Sequence, residues 1–313
     1  MRVIIWTCQL EPYVRHNLRD NRATPNGKLD TGSYHRAWDA LELCFNLRGY
    51  GWNWSEIRFQ KETRPTSRLG FAITTLFCLI LGLIIFDIVH ISIESMDPDF
   101  ALPTGGSIYD MSLPPIPRYL RSSIICSLGG LLFGNAIELC YLFSAFIGVT
   151  VLQQHPAQWP PLFENPLLSD TLTVFWSRRW HQLFRQCFVC FGFKPMSFVA
   201  GPAGGVLGAF FVSGLLHDIG LWGMGRGTEP SSMYTFFLMM GVGIVLERAW
   251  KYMTGYRVGG IFGWVWTFVW LIGWWHLLFD LYCRKGLLAI RFFAEEYRPS
   301  ALVTRFARHI LKL

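Results

Sequence analysis

Residues 69–86 read LGFAITTLFCLILGLIIF, eighteen consecutive positions without a charge. An α-helix rises about 1.5 Å per residue, so this run and its flanks can cross the roughly 30 Å hydrocarbon core of a bilayer. The pattern predicts a transmembrane helix over 69–91, with Asp87 and His90 near its end. Working outward, residues 195–216, 231–246 and 258–279 are each long and apolar enough to span. Residues 119–152 are apolar for over thirty positions but are interrupted by Gly129, Gly130, Gly134, Asn135 and Glu138. One long tilted helix or two half-spans both fit that stretch, so the count is five, or six if it divides. Composition agrees: 52% of residues are hydrophobic and 16% charged, against roughly 25% charged in a soluble domain. Eight cysteines in 313 residues, several inside apolar runs, exclude a disulfide scaffold. The expected fold class is all-α, a polytopic integral membrane helical bundle.

Three regions follow. Residues 1–68 are polar and mixed in charge and read as a loop-rich, surface-associated segment on the cytosolic side; 69–282 form the multi-span membrane domain; 283–313 are a basic tail. The tail reads as an amphipathic interfacial helix, with Phe306 and Ile310 on one face. The start of the chain, MRVIIWTCQL, is too short and too soon interrupted for a secretory signal peptide. Net charge is 28 − 21 = +7, but the basic residues lie between the apolar runs, where juxtamembrane Lys and Arg belong. No soluble basic module with aromatic platforms is visible, so the expected partner is membrane lipid and not nucleic acid. With five spans, the positive-inside rule makes 1–68, 153–194 and 251–257 cytosolic and leaves the basic tail (Arg284, Lys285, Arg291, Arg298, Arg305, Arg308, Lys312) opposite them.

Ionisable residues at membrane depth are costly, which makes each a functional candidate. His217 lies in the Gly-rich run GAFFVSGLLHDIG, residues 208–220. Its imidazole can take a proton from a hydroxyl near neutral pH. The alternative is a histidine hydrogen-bonded near the interface beside Asp218. His181 follows Arg178, Arg179 and Trp180, a guanidinium and aromatic set suited to the phosphates and adenine of a nucleotide-like group. An interfacial aromatic belt explains the same residues. His276 and Asp280 form an HxxxD pattern that reads as a polar pair closing a span, since i and i+4 share a helix face. Cys187 and Cys190 make a lone CxxC with no second pair, so no metal is expected. Glu138 and the Glu247-Arg248 pair could line an ion path or serve helix packing. No Walker loop or GxSxG elbow occurs.

The string FWSRRWHQLFR at residues 175–185 resembles the signature of wax synthase-like acyltransferases, relatives of the membrane-bound O-acyltransferases. Ser169-Asp170 upstream and FVSGLLH at 211–217 downstream fit the same pattern. Arg36-Ala37-Trp38-Asp39 and NLRGYGWNW at 46–54 resemble the fungal branch, which includes acetyltransferases of terpenoid and meroterpenoid biosynthesis. The resemblance spans roughly residues 33–280. It departs in two places: Ser177 stands where Gly is expected, and the chain begins with a polar segment where members usually carry further spans.

The resemblance implies a multi-pass protein of the endoplasmic reticulum that moves an acetyl group from acetyl-CoA to a hydroxyl of a lipophilic terpenoid. His217 matches the catalytic histidine, and His181 the position of a second polar residue. Arg178, Arg179 and Trp180 become candidates for holding CoA. Acetyl-CoA is then a co-substrate, with no permanently bound cofactor. A wax synthase joining a fatty acyl-CoA to a long-chain alcohol is the nearer alternative. A small transporter is the more distant one, though no internal repeat supports it.

Overall fold

The computed structural model describes residues 33–290 except 56, 58, 60 and 61, together with 294–301 and single residues 5, 13 and 305. Phe306 and Ile310, on which the amphipathic tail was expected to turn, lie outside the described residues. So do the side chains of Arg36 and Trp38.

Among the described residues every long element is helical, and five helical stretches are long and apolar enough to cross a membrane. The N-terminal segment, expected to be loop-rich, contains one helix, α1 (Ser33–Phe45). The first span is α2 (Arg68–Glu94), opened by the Ser67 hydroxyl, which accepts the Gly70 N–H at 3.2 Å. Its buried residues include Phe71, Phe86 and Ile93, while Ile73, Phe77, Ile80, Ile84 and Ile88 are exposed. An exposed stripe of that kind is stable only against lipid.

The stretch left open between one helix and two is one helix, α3 (Pro115–Thr150), of 36 residues. Its glycines do not break it, and Gly129 serves as a contact point. A Cβ on Gly129 would lie 2.3 Å from the Phe279 ring, so that ring seats directly on the backbone. At about 54 Å, α3 is longer than a bilayer core is thick.

The expected span over 195–216 falls within a longer apolar stretch, Arg185–Gly223, that is not one straight helix. Helix α4 (Lys194–Gly223) is broken at Ala200 and Gly201, the latter at φ 67°, ψ −170°. Only glycine reaches that region without strain, and Pro202 follows it with no N–H to continue the ladder. The two arms fold back on each other. A Cβ on Gly192 would sit 2.3 Å from the Gly208 carbonyl, one on Gly205 2.8 Å from Ser197, and one on Gly208 2.5 Å from Met196. These pairings centre on Gly201, so residues 185–199 and 202–223 form an antiparallel hairpin, with glycines where the backbones touch.

Helices α5 (Pro230–Thr254) and α6 (Gly260–Arg284) complete the bundle. Phe86, Ile93, Ile125 and Phe279 pack between α2, α3 and α6. Leu221, Met233, Met240 and Leu281 pack between α4, α5 and α6.

Loop contacts separate two ends. At one, Arg68 bonds to Gln153, Arg64 to the Trp159 carbonyl and Trp264 to the Leu167 carbonyl. At the other, Asp280 accepts from Ser107, Arg284 pairs with Glu229, and Arg298 pairs with Asp87 and Glu94. Residues 285–290 and 294–301 therefore sit opposite the end that gathers 151–171, the 255–259 turn and the described residues of 46–67.

Candidate active site

The string that resembles an acyltransferase signature is held in place from its first residue. Glu247 of α5 accepts from the Leu172 N–H at 2.6 Å, the Thr173 N–H at 3.0 Å, the Thr173 hydroxyl at 2.6 Å and the Trp266 indole at 3.2 Å. One carboxylate thus caps the turn Leu172–Val174 and ties it to α5 and α6. Among the described residues Glu247 forms no ion pair with Arg248, which instead reaches the Pro202 carbonyl at 3.4 Å. Leu172 and Pro202 meet α5 at adjacent residues, so 172–201 leaves that helix and returns to it at one level.

From Val174 the chain enters a π-helical turn, Phe175–Arg179, closed by the Trp180 N–H on the Phe175 carbonyl at 2.8 Å. The wider turn divides the string between two environments. Trp180 turns inward: it stacks on Phe175 with centroids 5.4 Å apart, meets Phe163 at 5.0 Å, and lies 3.6 Å from where a Gly134 Cβ would be. Arg178 turns outward, half exposed, and pairs with Glu164. Arg179 donates to the Asn165 carbonyl at 2.8 Å and lines an open cleft of about 340 Å³ with Asp170, Ile261 and Trp264. The structure therefore brings Trp180 and His181 together inside and sets Arg178 and Arg179 at the rim.

His181 lies against the Trp180 and Phe163 rings at 5.5 and 6.0 Å. Its Nδ1 is buried with no hydrogen-bond partner among the described residues. Burial pushes its pKa down to about 3, helped by the positive charge His217 can carry and by Arg48, so the ring is neutral at working pH. The bend is clamped by Gln182, whose buried amide donates to the Trp176 carbonyl at 2.9 Å and the Trp180 carbonyl at 2.7 Å. Gln182 and Glu247 carry the geometry of the string, and only the tertiary contacts show it.

His217 stands on the second arm of α4, its ring 4.5 Å from that of Phe237. Its Nδ1 lies 2.7 Å from the Ser213 carbonyl one turn earlier. A carbonyl can only accept, so Nδ1 carries the proton and Nε2 keeps a free lone pair. Asp218 accepts the Glu229 N–H at 3.1 Å and so fixes the following loop.

His276 and Asp280 do not form the expected pair with each other. His276 Nδ1 donates to the Ile272 carbonyl at 2.7 Å and its Nε2 lies 3.3 Å from the Ser123 hydroxyl. Asp280 accepts from Ser107 at 2.8 Å, the Ile108 N–H at 3.0 Å and Arg284 at 2.8 Å. Each closes α6 onto a different neighbour, His276 onto Ser123 of α3 and Asp280 onto the 95–114 loop.

Residues 159–239, which contain both His181 and His217, match the sequence model of the Membrane bound O-acyl transferase family. The likeness to that family is confined to this stretch. Similarity to single acyltransferases extends further. The chain is 28% identical over 232 residues to acetyltransferase eriL of Hericium erinaceus, covering 67% of this chain and 56% of that protein. It is 29% identical over 249 residues to acetyltransferase ple2 of Rhodocybe pseudopiperita, covering 75% and 62%. A plant protein named a probable long-chain-alcohol O-fatty-acyltransferase 8, from Arabidopsis thaliana, is 27% identical over 159 residues, 48% of this chain and 46% of that one. The matched region thus spans somewhat more than half the length of the two fungal acetyltransferases.

Proposed function

We propose that this integral membrane protein is an acyl-CoA-dependent O-acyltransferase that moves an acetyl group from acetyl-CoA to a hydroxyl of a lipophilic terpenoid or meroterpenoid. The observation that carries the reading is the fixed tautomer of His217, whose Nδ1–H is held by Ser213 and whose Nε2 is free to act as a base. The names of the fungal relatives support the acetyl group, and the plant relative favours a long-chain acyl group as the second reading.

In this reading Nε2 of His217 removes the alcohol proton as the oxygen attacks the thioester carbonyl. The C–O bond forms, the carbonyl electron pair moves onto oxygen, and the tetrahedral anion collapses with cleavage of the C–S bond. His217 returns its proton to the departing thiolate. His181, held neutral, donates an N–H to the oxyanion without carrying a charge of its own into the apolar site. Arg178 and Arg179 at the rim receive the phosphates of CoA, and Trp180 walls the path inward. The greasy alcohol arrives from lipid and the polar thioester from the aqueous end, which faces the cytosol at the endoplasmic reticulum membrane. Residues 69–282 are then the catalytic membrane domain, with 1–68 as a cytosolic cover and 283–313 as a basic tail on the far side.

The test is ester formation by microsomes carrying the protein, given labelled acetyl-CoA and a panel of hydroxylated terpenoids. His217→Ala lowers the rate by about 10²–10⁴-fold, the range for general base catalysis. Ester formation that survives the substitution removes His217 from the mechanism. No ester with acetyl- or long-chain acyl-CoA overturns the acyltransferase reading.

A further inference from the structure

Glu138 has the character of a binding group. It lies in the C-terminal half of α3, and its Oε2 is buried with no hydrogen-bond partner among the described residues. A buried polar atom left unpaired is costly, and a carboxylate within a bilayer doubly so.

Its position on the helix shows what it faces. At about 100° per residue, Glu138 lies some 40° from Gly134, and Tyr141 returns to within about 20° of it. Those two neighbours are fixed: Gly134 packs on the Trp180 ring, and the Tyr141 hydroxyl donates to the Pro160 carbonyl at 2.5 Å. Glu138 therefore belongs to the α3 stripe that faces 159–181, the segment that carries His181.

Charge links the same groups. Arg48 is buried and its guanidinium bonds to neutral acceptors, the Pro160 and Pro161 carbonyls and the Tyr141 hydroxyl. Its positive charge is felt at both Glu138 and His181, and that of Arg64 also reaches Glu138. Among the described residues neither guanidinium forms a hydrogen bond with the Glu138 carboxyl, and its Oε2 stays without a donor.

We propose that Glu138 is a specificity-determining residue of the acceptor pocket, where it accepts a hydrogen bond from a second hydroxyl on the acceptor alcohol. The inference rests on the acyltransferase reading. A buried carboxyl oxygen without a donor is satisfied by a hydroxyl and not by the phosphates of CoA, whose ionised oxygens only accept. A lipophilic alcohol with two hydroxyls supplies one to Glu138 while presenting the other to His217. The substrate class is accordingly a lipophilic diol in preference to a matched mono-ol.

The experiment compares kcat/KM for a terpenoid diol and its mono-ol analogue in membranes carrying wild type, Glu138→Leu, Glu138→Gln or His217→Ala. Wild type favours the diol. Glu138→Leu lowers the diol-to-mono-ol ratio about 2- to 10-fold, the size of a typical hydrogen bond. Glu138→Gln keeps an acceptor oxygen of similar reach and lowers the ratio less than Leu does. A ratio unchanged in both Glu138 variants overturns the role of Glu138, as does a rise in KM for acetyl-CoA at constant ratio. Turnover by wild type that disappears in His217→Ala keeps the acyltransferase reading in place in either case. Absence of turnover with both alcohols overturns that reading and the proposal with it.

Discussion

At the scale of single residues, the two histidines differ in how their protons are held. His217 is pinned by a carbonyl that can only accept, whereas the buried Nδ1 of His181 meets no partner among the described residues. If His181 serves as a neutral donor, His181→Ala lowers kcat by about 10²–10³-fold, and His181→Asn, which restores a neutral N–H, recovers much of it. Stability should respond to pH as well. Burial, with His217 and Arg48 as positive neighbours, takes His181 down to about 3, while the unfolded imidazole titrates near 6.5. Between those values the unfolded chain binds more protons, so stability rises with pH across that window. The contribution is complete above about pH 6.5 and is lost as pH falls towards 3. Detergent-solubilised wild type loses more thermal stability between pH 7 and pH 4.5 than His181→Asn, and equal losses contradict this account. Both histidines could be picked out from sequence, as polar groups beside aromatic and apolar runs. The isolation of Glu138 could not, because an unpaired oxygen is defined by what fails to reach it.

At the scale of elements, the hairpin and its anchor decide where the signature string sits. Residues 195–216 are apolar on both sides of Gly201, so hydrophobicity alone reads straight through the break. The cue is local: glycine before proline, with the glycine at φ 67°. Gly201→Ala costs about 1–3 kcal/mol, the strain of a side chain in that region, and loosens the arm that begins the string's return. Glu247→Ala strands the Leu172 and Thr173 N–H groups, the Thr173 hydroxyl and the Trp266 indole. Each unsatisfied buried group costs about 1–3 kcal/mol. Thermal melts should therefore rank Glu247→Ala well below Gly201→Ala. A neutral result for Glu247→Ala would falsify the view that this carboxylate anchors the string. Nothing in the spacing of Glu247 and Leu172, 75 positions apart, announces their contact.

At the scale of the whole molecule, two ends emerge with different partners. One gathers 151–171, the 255–259 turn and the described residues of 46–67, and the other 95–114, 224–229, 285–290 and 294–301. The sequence reading had a conflict here, since the basic tail fell opposite the basic loops. Part of that charge is accounted for within the fold: Arg284 pairs with Glu229 and Asp280, and Arg298 with Asp87 and Glu94. A paired arginine contributes less to orientation than a free one. The arrangement predicts that cysteines placed at Tyr256 and Met111, both well exposed, label from opposite faces of sealed microsomes with a membrane-impermeant maleimide. Labelling of both from one face contradicts the two-ended arrangement.

The sequence by itself determined that the chain lives in a membrane, because long uncharged runs have no other stable home. It determined the helical class, because a bilayer leaves backbone groups no partners outside the segment. It also marked His181 and His217, by residue type and surroundings, as groups worth attention. Only the tertiary structure decided that 119–152 is one helix, that 195–216 is the greater part of a hairpin, and that Glu247 and Gln182 hold the signature string. It alone decided which polar atoms are left open towards the interior. The division has a physical cause. Hydrophobicity and local backbone preference act within a few residues, whereas hydrogen bonds between distant segments depend on distances that exist only after the helices have packed.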